Sequence, residues 1–247
     1  MHVIWKKPAA SIRLLPPSFS DPYVTLGIVV LVMMVIIVLV KVPDTQPQGT
    51  EQNRFRQSMK NLWGNRVYRE GVVAQVFYVA AQIMTWTFII HYADHLGIDK
   101  ATAQNYNIMA MCLFLVGRFV STWLMKYVDS RRMLTCFGVG AALCSLGAVL
   151  IEGMAGLYCL IGISLFMSLM FPTIYGTALE EVSLADASLG AAFLVMAIVG
   201  GALMPPLQGL IIDQGTILGH PAVNVSYLLP MLCFVVVSIY GIRSRRV

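Results

Sequence analysis

Four polar or amphipathic side chains interrupt one apolar stretch at helical spacing: Gln75, Tyr78, Gln82 and Trp86, separated by 3, 4 and 4 residues. On a helix those intervals place all four on one face. Two amides that both donate and accept hydrogen bonds, beside two aromatic faces that can cover an apolar ring, suit a neutral, polyhydroxylated ligand. The same stripe also suits amide bridges between packed helices, and spacing does not separate the two readings. A second stripe, Ser164, Ser168, Phe171 and Tyr175, surrounds Pro172. Proline removes one backbone donor and tends to kink its helix, and interrupted helices within a membrane often mark a binding region. Gly200, Gly201, Pro205, Pro206 and Gly209 repeat the theme of close approach beside a weak point. Arg118 is the one charge inside an apolar run, about two turns before Lys126. Its structural reading, a guanidinium reaching toward the headgroups and bonded to helix carbonyls, is preferred over a ligand or gate contact.

What is missing narrows the chemistry further. All twelve acidic residues lie outside the apolar runs or at their ends, so no mid-membrane carboxylate is expected. A proton relay through a bilayer normally needs an Asp, Glu or His there. His2 and His220 fall outside the runs, and His91 and His95 sit at the end of one. His91, Asp94 and His95 have a spacing that could bind a metal, but they read as a polar rim. The five cysteines all lie within apolar runs without a CxxC spacing, and read as small buried hydrophobes. Neither a metal nor another cofactor is expected.

These side chains need elements to hold them. The 247 residues are 58% hydrophobic and 12% charged, with a mean hydropathy of +0.75. Soluble domains carry about 25% charged residues. A soluble enzyme, a disordered chain and a disulfide-built module are excluded. The fold class is all-α, a polytopic transmembrane helix bundle, because helices satisfy their own backbone hydrogen bonds in lipid. A bilayer core of about 30 Å takes about 20 helical residues. Seven stretches qualify: Tyr23–Val42, Gly71–Tyr92, Tyr106–Met125, Met133–Ile151, Leu157–Ala178, Leu189–Ile212 and Val223–Ile242.

The net charge of +5 reads as membrane orientation and not as nucleic-acid binding, because the basic residues fall between the runs. Twelve of the seventeen Lys and Arg collect on one side: six between the first two spans, Lys126, Arg131 and Arg132 after the third, and Arg243, Arg245 and Arg246 after the last. That side is expected to be cytoplasmic, with the carboxyl end inside and the amino end outside. Residues 1–22 form a leading stub whose three basic residues conflict with an outside location, so it reads as something other than the native start. Residues 23–42 form one transmembrane helix, 43–70 a long basic cytoplasmic loop joining two modules, and 71–247 a six-helix domain. Within the loop, Arg54–Trp63 is expected either as a solvated linker or as an amphipathic helix on the inner surface, with Phe55, Met59, Leu62 and Trp63 facing lipid.

Several motifs in register resemble the fucose–galactose–glucose:proton symporter family of the major facilitator superfamily. The segment from Ala74 to Tyr92 resembles its seventh helix; Gly117-Arg118-Phe119 with Thr122-Trp123-Leu124-Met125 its eighth; Met167 to Tyr175, with Phe171-Pro172-Thr173, its tenth; and Ile198 to Gln208 its eleventh. The likeness covers about Asp21 to Arg243. It implies helices six to twelve of a twelve-helix fold, a sugar site between two six-helix halves, and alternating access. It implies an inner-membrane location and a small neutral monosaccharide as substrate, L-fucose foremost. The proton is the implied coupling ion of the full-length parent, and a missing amino-terminal half is the implied partner. In the family the coupling carboxylates lie in that other half. Gln75, Tyr78, Gln82, Trp86, Phe171 and Tyr175 inherit a sugar-facing role. Arg118, Pro172, Gly200, Gly201, Pro205 and Pro206 keep the gating or structural role read from their own types and positions. The chain departs from the family pattern at Phe171, which keeps a ring but lacks a tyrosine's hydroxyl, and at the acidic pair Glu180-Glu181.

The function expected is a sugar:proton symporter, or its truncated carboxyl half, which alone does not transport. Two other classes are weighed. A seven-helix receptor or a structural membrane protein fits the span count, although no span holds a lysine away from its edge to carry retinal. An intramembrane enzyme lacks a mid-span His or carboxylate to activate its serines.

Overall fold

The structure, a computed structural model, describes residues 17–39, 51–217 and 219–246. It divides into two compact units, residues 1–48 and residues 49–247. The first holds α1 (Pro17–Leu39), which has neither an acidic first turn nor a basic last turn. From Val24 to Ile36 it is apolar on every face, the pattern of a helix that meets lipid or other apolar helices all round. Residues 1–16, most of the expected stub, lie outside the described residues.

The second unit begins with α2 (Glu51–Gly64) and turns directly into α3 (Arg66–His95). Asn65 makes the corner: its side chain accepts the Tyr68 N–H at 3.1 Å and so caps α3. Then follow α4 (Lys100–Leu124), α5 (Ser130–Leu150) and α6 (Met154–Glu180). Asp99 and Asp129 cap α4 and α5, so each helix starts where an acidic side chain can take its first free N–H groups. α7 (Leu184–Met196) runs through a 3-10 turn at Ala197–Val199 into α8 (Gly200–Ile212). A two-residue hairpin, β1 (Thr216–Ile217) and β2 (His220–Pro221), pairs antiparallel and leads to α9 (Ala222–Ser226) and α10 (Leu228–Arg243).

Among the described residues, six helices are long and apolar enough to cross a membrane, counting Leu184–Ile212 and Ala222–Arg243 as one each. All six correspond to spans expected between residues 71 and 242. The second-unit core is centred on α3 and α6. α3 packs against α4, α6, α8 and α10, while α6 also holds α4 and α5. At about 45 Å, the 30-residue α3 is longer than the bilayer core, and its charged first turns, with Arg66, Arg69 and Glu70, are costly to place in hydrocarbon.

Two expectations change. Leu189–Ile212 is not one regular helix: hydrogen bonding shifts register at Ala197–Val199, ahead of two prolines that cannot donate backward. The stretch Arg54–Trp63 does form part of a helix, but Leu62 does not face lipid. It is buried with Tyr68 and Leu194, and its side chain closes on the bare backbone of Gly190. The Tyr68 hydroxyl donates to Gly190 O at 2.9 Å, and Asn61 Nδ2 donates to Asp186 Oδ2 at 3.2 Å. Phe55 and Trp63 remain exposed.

Candidate functional site

The stripe on α3 divides in two. Gln75 and Tyr78 are fully buried, whereas Gln82 and Trp86 are half-buried. The Tyr78 hydroxyl donates to Met167 O of α6 at 3.0 Å. Trp86 Nε1 donates to Ser164 Oγ of α6 at 3.2 Å. Both amphipathic aromatics therefore use their polar tips on α6, leaving their rings as wall. Gln75 has neither its amide oxygen nor its nitrogen paired among the described residues.

The rings form two groups across three helices. The Trp86 ring meets Phe114 of α4 edge-on, with centroids 5.2 Å apart. The Tyr78 ring meets Phe171 edge-on at 6.2 Å, and Phe171 stacks on Tyr175 at 6.4 Å with an interplanar angle of 11°. Phe171 and Tyr175 are half-buried, so the second group has an open side. Neither Phe114 nor Ser121, whose hydroxyl lies 3.4 Å from that of Ser168, was legible as a wall residue. Phe114 lies in a run of apolar neighbours where only the facing helix shows which side matters.

Pro172 explains the position of Arg118. In a regular α6 the carbonyl of Ser168 would accept from the N–H of residue 172, which proline lacks. That carbonyl accepts instead from Arg118 Nη1 at 3.5 Å. The close approach of α4 to α6 there depends on Gly117: a Cβ would come within 2.8 Å of a Leu165 methyl and 2.9 Å of Ser168 Oγ. Arg118 is otherwise exposed and, with Lys126, borders an open groove of about 440 Å³ along α4, where Phe119 and Trp123 supply apolar walls.

Gly200 and Gly201 set the approach of α8 to α3. A Cβ on Gly200 would overlap the Val76 carbonyl oxygen, and one on Gly201 would overlap an Ile83 methyl. Pro205 is half-buried and Pro206 exposed. Gln208, fully buried, donates to Ser226 Oγ at 3.1 Å. Its amide was the signal that sequence reasoning passed over. His91 packs against the Phe88 ring. Among the described residues no cluster of three His, Cys, Asp or Glu is placed to hold a metal. The acids of the six crossing helices sit at or near helix ends.

Aromatic rings of α3, α4 and α6 and the amides of α3 thus line this side of the bundle. The Major Facilitator Superfamily profile matches residues 18–205. The chain belongs to the major facilitator superfamily. Within that superfamily it is 54% identical to the L-fucose-proton symporter of Haemophilus influenzae, over 93% of this chain and 54% of that protein. It is 32% identical to the L-fucose-proton symporter of Escherichia coli, over 91% of this chain and 51% of the other. The glucose/galactose transporter of Brucella abortus is 26% identical over 91% of this chain. The crystal structure of the Escherichia coli fucose:proton symporter in the outward conformation superposes with a TM-score of 0.80 at 31% identity, covering 92% of this chain and 55% of that one. The chain thus spans about half the length of the curated relatives it matches. It is an integral membrane protein, and the relatives are carriers and not enzymes.

Proposed function

We propose that this chain lines one side of the sugar path of a sugar:proton symporter, with L-fucose as the foremost substrate. The observation that carries the reading is the 54% identity to an L-fucose-proton symporter over nearly the whole chain. The geometry says how the role would be filled. Gln82 presents an amide on the half-open part of the stripe, Trp86 and Phe171 offer rings to the apolar face of a sugar, and Tyr175 adds a hydroxyl beside them. Gln75 and Tyr78 brace the wall from behind. The chain corresponds to the helix before the central loop and the six after it, and the proton-coupling carboxylates are read as lying on the amino-side half of the fold. It sits in the inner membrane with its central loop and carboxyl end in the cytoplasm and its amino end outside.

Binding of labelled L-fucose to the purified chain tests this directly. Saturable binding is expected, displaced by unlabelled L-fucose and weakened about fivefold in Trp86→Phe, which keeps a ring but loses the bond to Ser164. Binding that is absent, or unchanged by Trp86→Phe, contradicts the assignment.

A further inference from the structure

The basic end of the bundle carries a second built surface, on a different face of α3 from the aromatic wall. A groove of about 360 Å³ runs between α3 and α10, close under the end of α2. Its floor is Val73, Val236, Ile239 and Tyr240; its rim is Trp63, Arg69, Glu70 and Arg243. α3 leaves the rim at its first turns and α10 arrives there at its last, so the groove follows both helices in one direction. Ile239 lies about 6 Å and Val236 about 10 Å deeper than Arg243. The groove therefore starts at headgroup level and continues into the hydrocarbon.

The rim is cationic even after its internal pairing. Arg66 and Arg243 share one oxygen of Glu70, at 2.9 and 2.8 Å. Arg69 spends one donor on the Trp63 carbonyl at 3.2 Å, leaving most of its five N–H groups open. Counting also the charges that reach Tyr240, Arg66, Arg69, Arg131 and Arg243 stand against Glu70, Glu180 and Glu181, a surplus of one positive charge. Tyr240 lines the floor and is 3% exposed, and its hydroxyl, with no partner among the described residues, lies beside Gly71. Trp63, exposed at the rim, is the residue type that favours a membrane–water interface.

We propose that an anionic phospholipid occupies this groove, its phosphate held by Arg69 and Arg243 and one acyl chain lying along Val73, Val236 and Ile239. Basic rims between membrane helices favour anionic headgroups, each nearby arginine strengthening the attraction about fivefold. The site is separate from the sugar wall and does not depend on the function proposed for it.

The test uses the full chain with Trp63 as its sole tryptophan, Trp5, Trp86 and Trp123 being changed to phenylalanine. It is placed in nanodiscs that carry either brominated phosphatidylglycerol or brominated phosphatidylcholine as the minor lipid. Both leaflets then have the same composition, so the result is independent of which end faces the cytoplasm. Phosphatidylglycerol is expected to quench Trp63 severalfold more effectively than phosphatidylcholine. Arg69→Gln is expected to remove most of that difference and Arg69→Lys to retain it in part. Arg132→Gln, which removes the same charge elsewhere on the basic end, is expected to leave it intact. Val73→Phe, which fills the floor, is expected to cut quenching by both lipids. Equal quenching by the two lipids, or an Arg132→Gln effect as large as that of Arg69→Gln, would overturn the proposal, since diffuse charge attraction would then suffice.

Discussion

Arg118 and Pro172 act as one unit at the residue scale. The proline frees a carbonyl, the arginine takes it, and Gly117 brings the two helices close enough for the exchange. A double-mutant cycle separates this from independent roles. Arg118→Gln should cost about 0.5–1 kcal/mol, lowering the Tm of a bundle this size by about 2 °C. In a Pro172→Ala background, the restored N–H claims the Ser168 carbonyl and the same substitution should cost nothing. Equal losses in both backgrounds would show that the two residues are uncoupled. The sequence carried the stripe on α3 but not its division. Spacing puts Gln75 and Gln82 on one face, yet only the facing helix decides that one amide is sealed and the other half-open. The pairing of Trp86 with Ser164, across 78 residues of chain, was equally beyond any periodic reading.

At the scale of the elements, α3 determines which neighbours can approach and how closely. Gly200 marks a close backbone contact, where α8 begins immediately after the 3-10 turn and lies over the Val76 carbonyl. Gly200→Ala should therefore separate α3 from α8 and give a chain that loses its single peak in size-exclusion chromatography or melts several degrees lower. Gly176→Ala is the control: nothing lies within 4 Å of the added methyl, and the substitution should be neutral or raise the Tm, because alanine favours a helix by about 1 kcal/mol over glycine. Similar melting of the two variants would remove the packing role of Gly200. The helices themselves were readable because a run of 20 apolar residues in lipid has few other solutions. The break at Ala197–Val199 was readable only as a weak point beside Pro205 and Pro206, since residue types alone do not fix where register shifts. The burial of Leu62 escaped for a similar reason. An amphipathic helix shows which face is apolar, not whether lipid or protein covers it.

For the whole molecule, the six crossing helices are nearly alike in mean hydropathy, from 1.5 to 2.1, yet the best apolar windows of α3 and α6 are 56% buried while those of α4 and of Leu184–Ile212 are 22% buried. Hydropathy could not rank them, because lipid and a protein core reward the same side chains. The charges do carry information at this scale. If the basic end faces the cytoplasm, a reporter that is active only there should be active when fused after Val247; its inactivity would reverse the orientation. The same distribution of charge places no carboxylate in the middle of a crossing helix among the described residues, so the wall proposed to face a sugar offers no carboxylate there to bind and release a coupling proton. The most direct test reconstitutes the 247-residue chain alone in liposomes, imposes an inward proton gradient and follows labelled L-fucose. The internal concentration should never exceed the external one. Accumulation above it, collapsed by a protonophore, would show that these helices couple by themselves and would contradict the account.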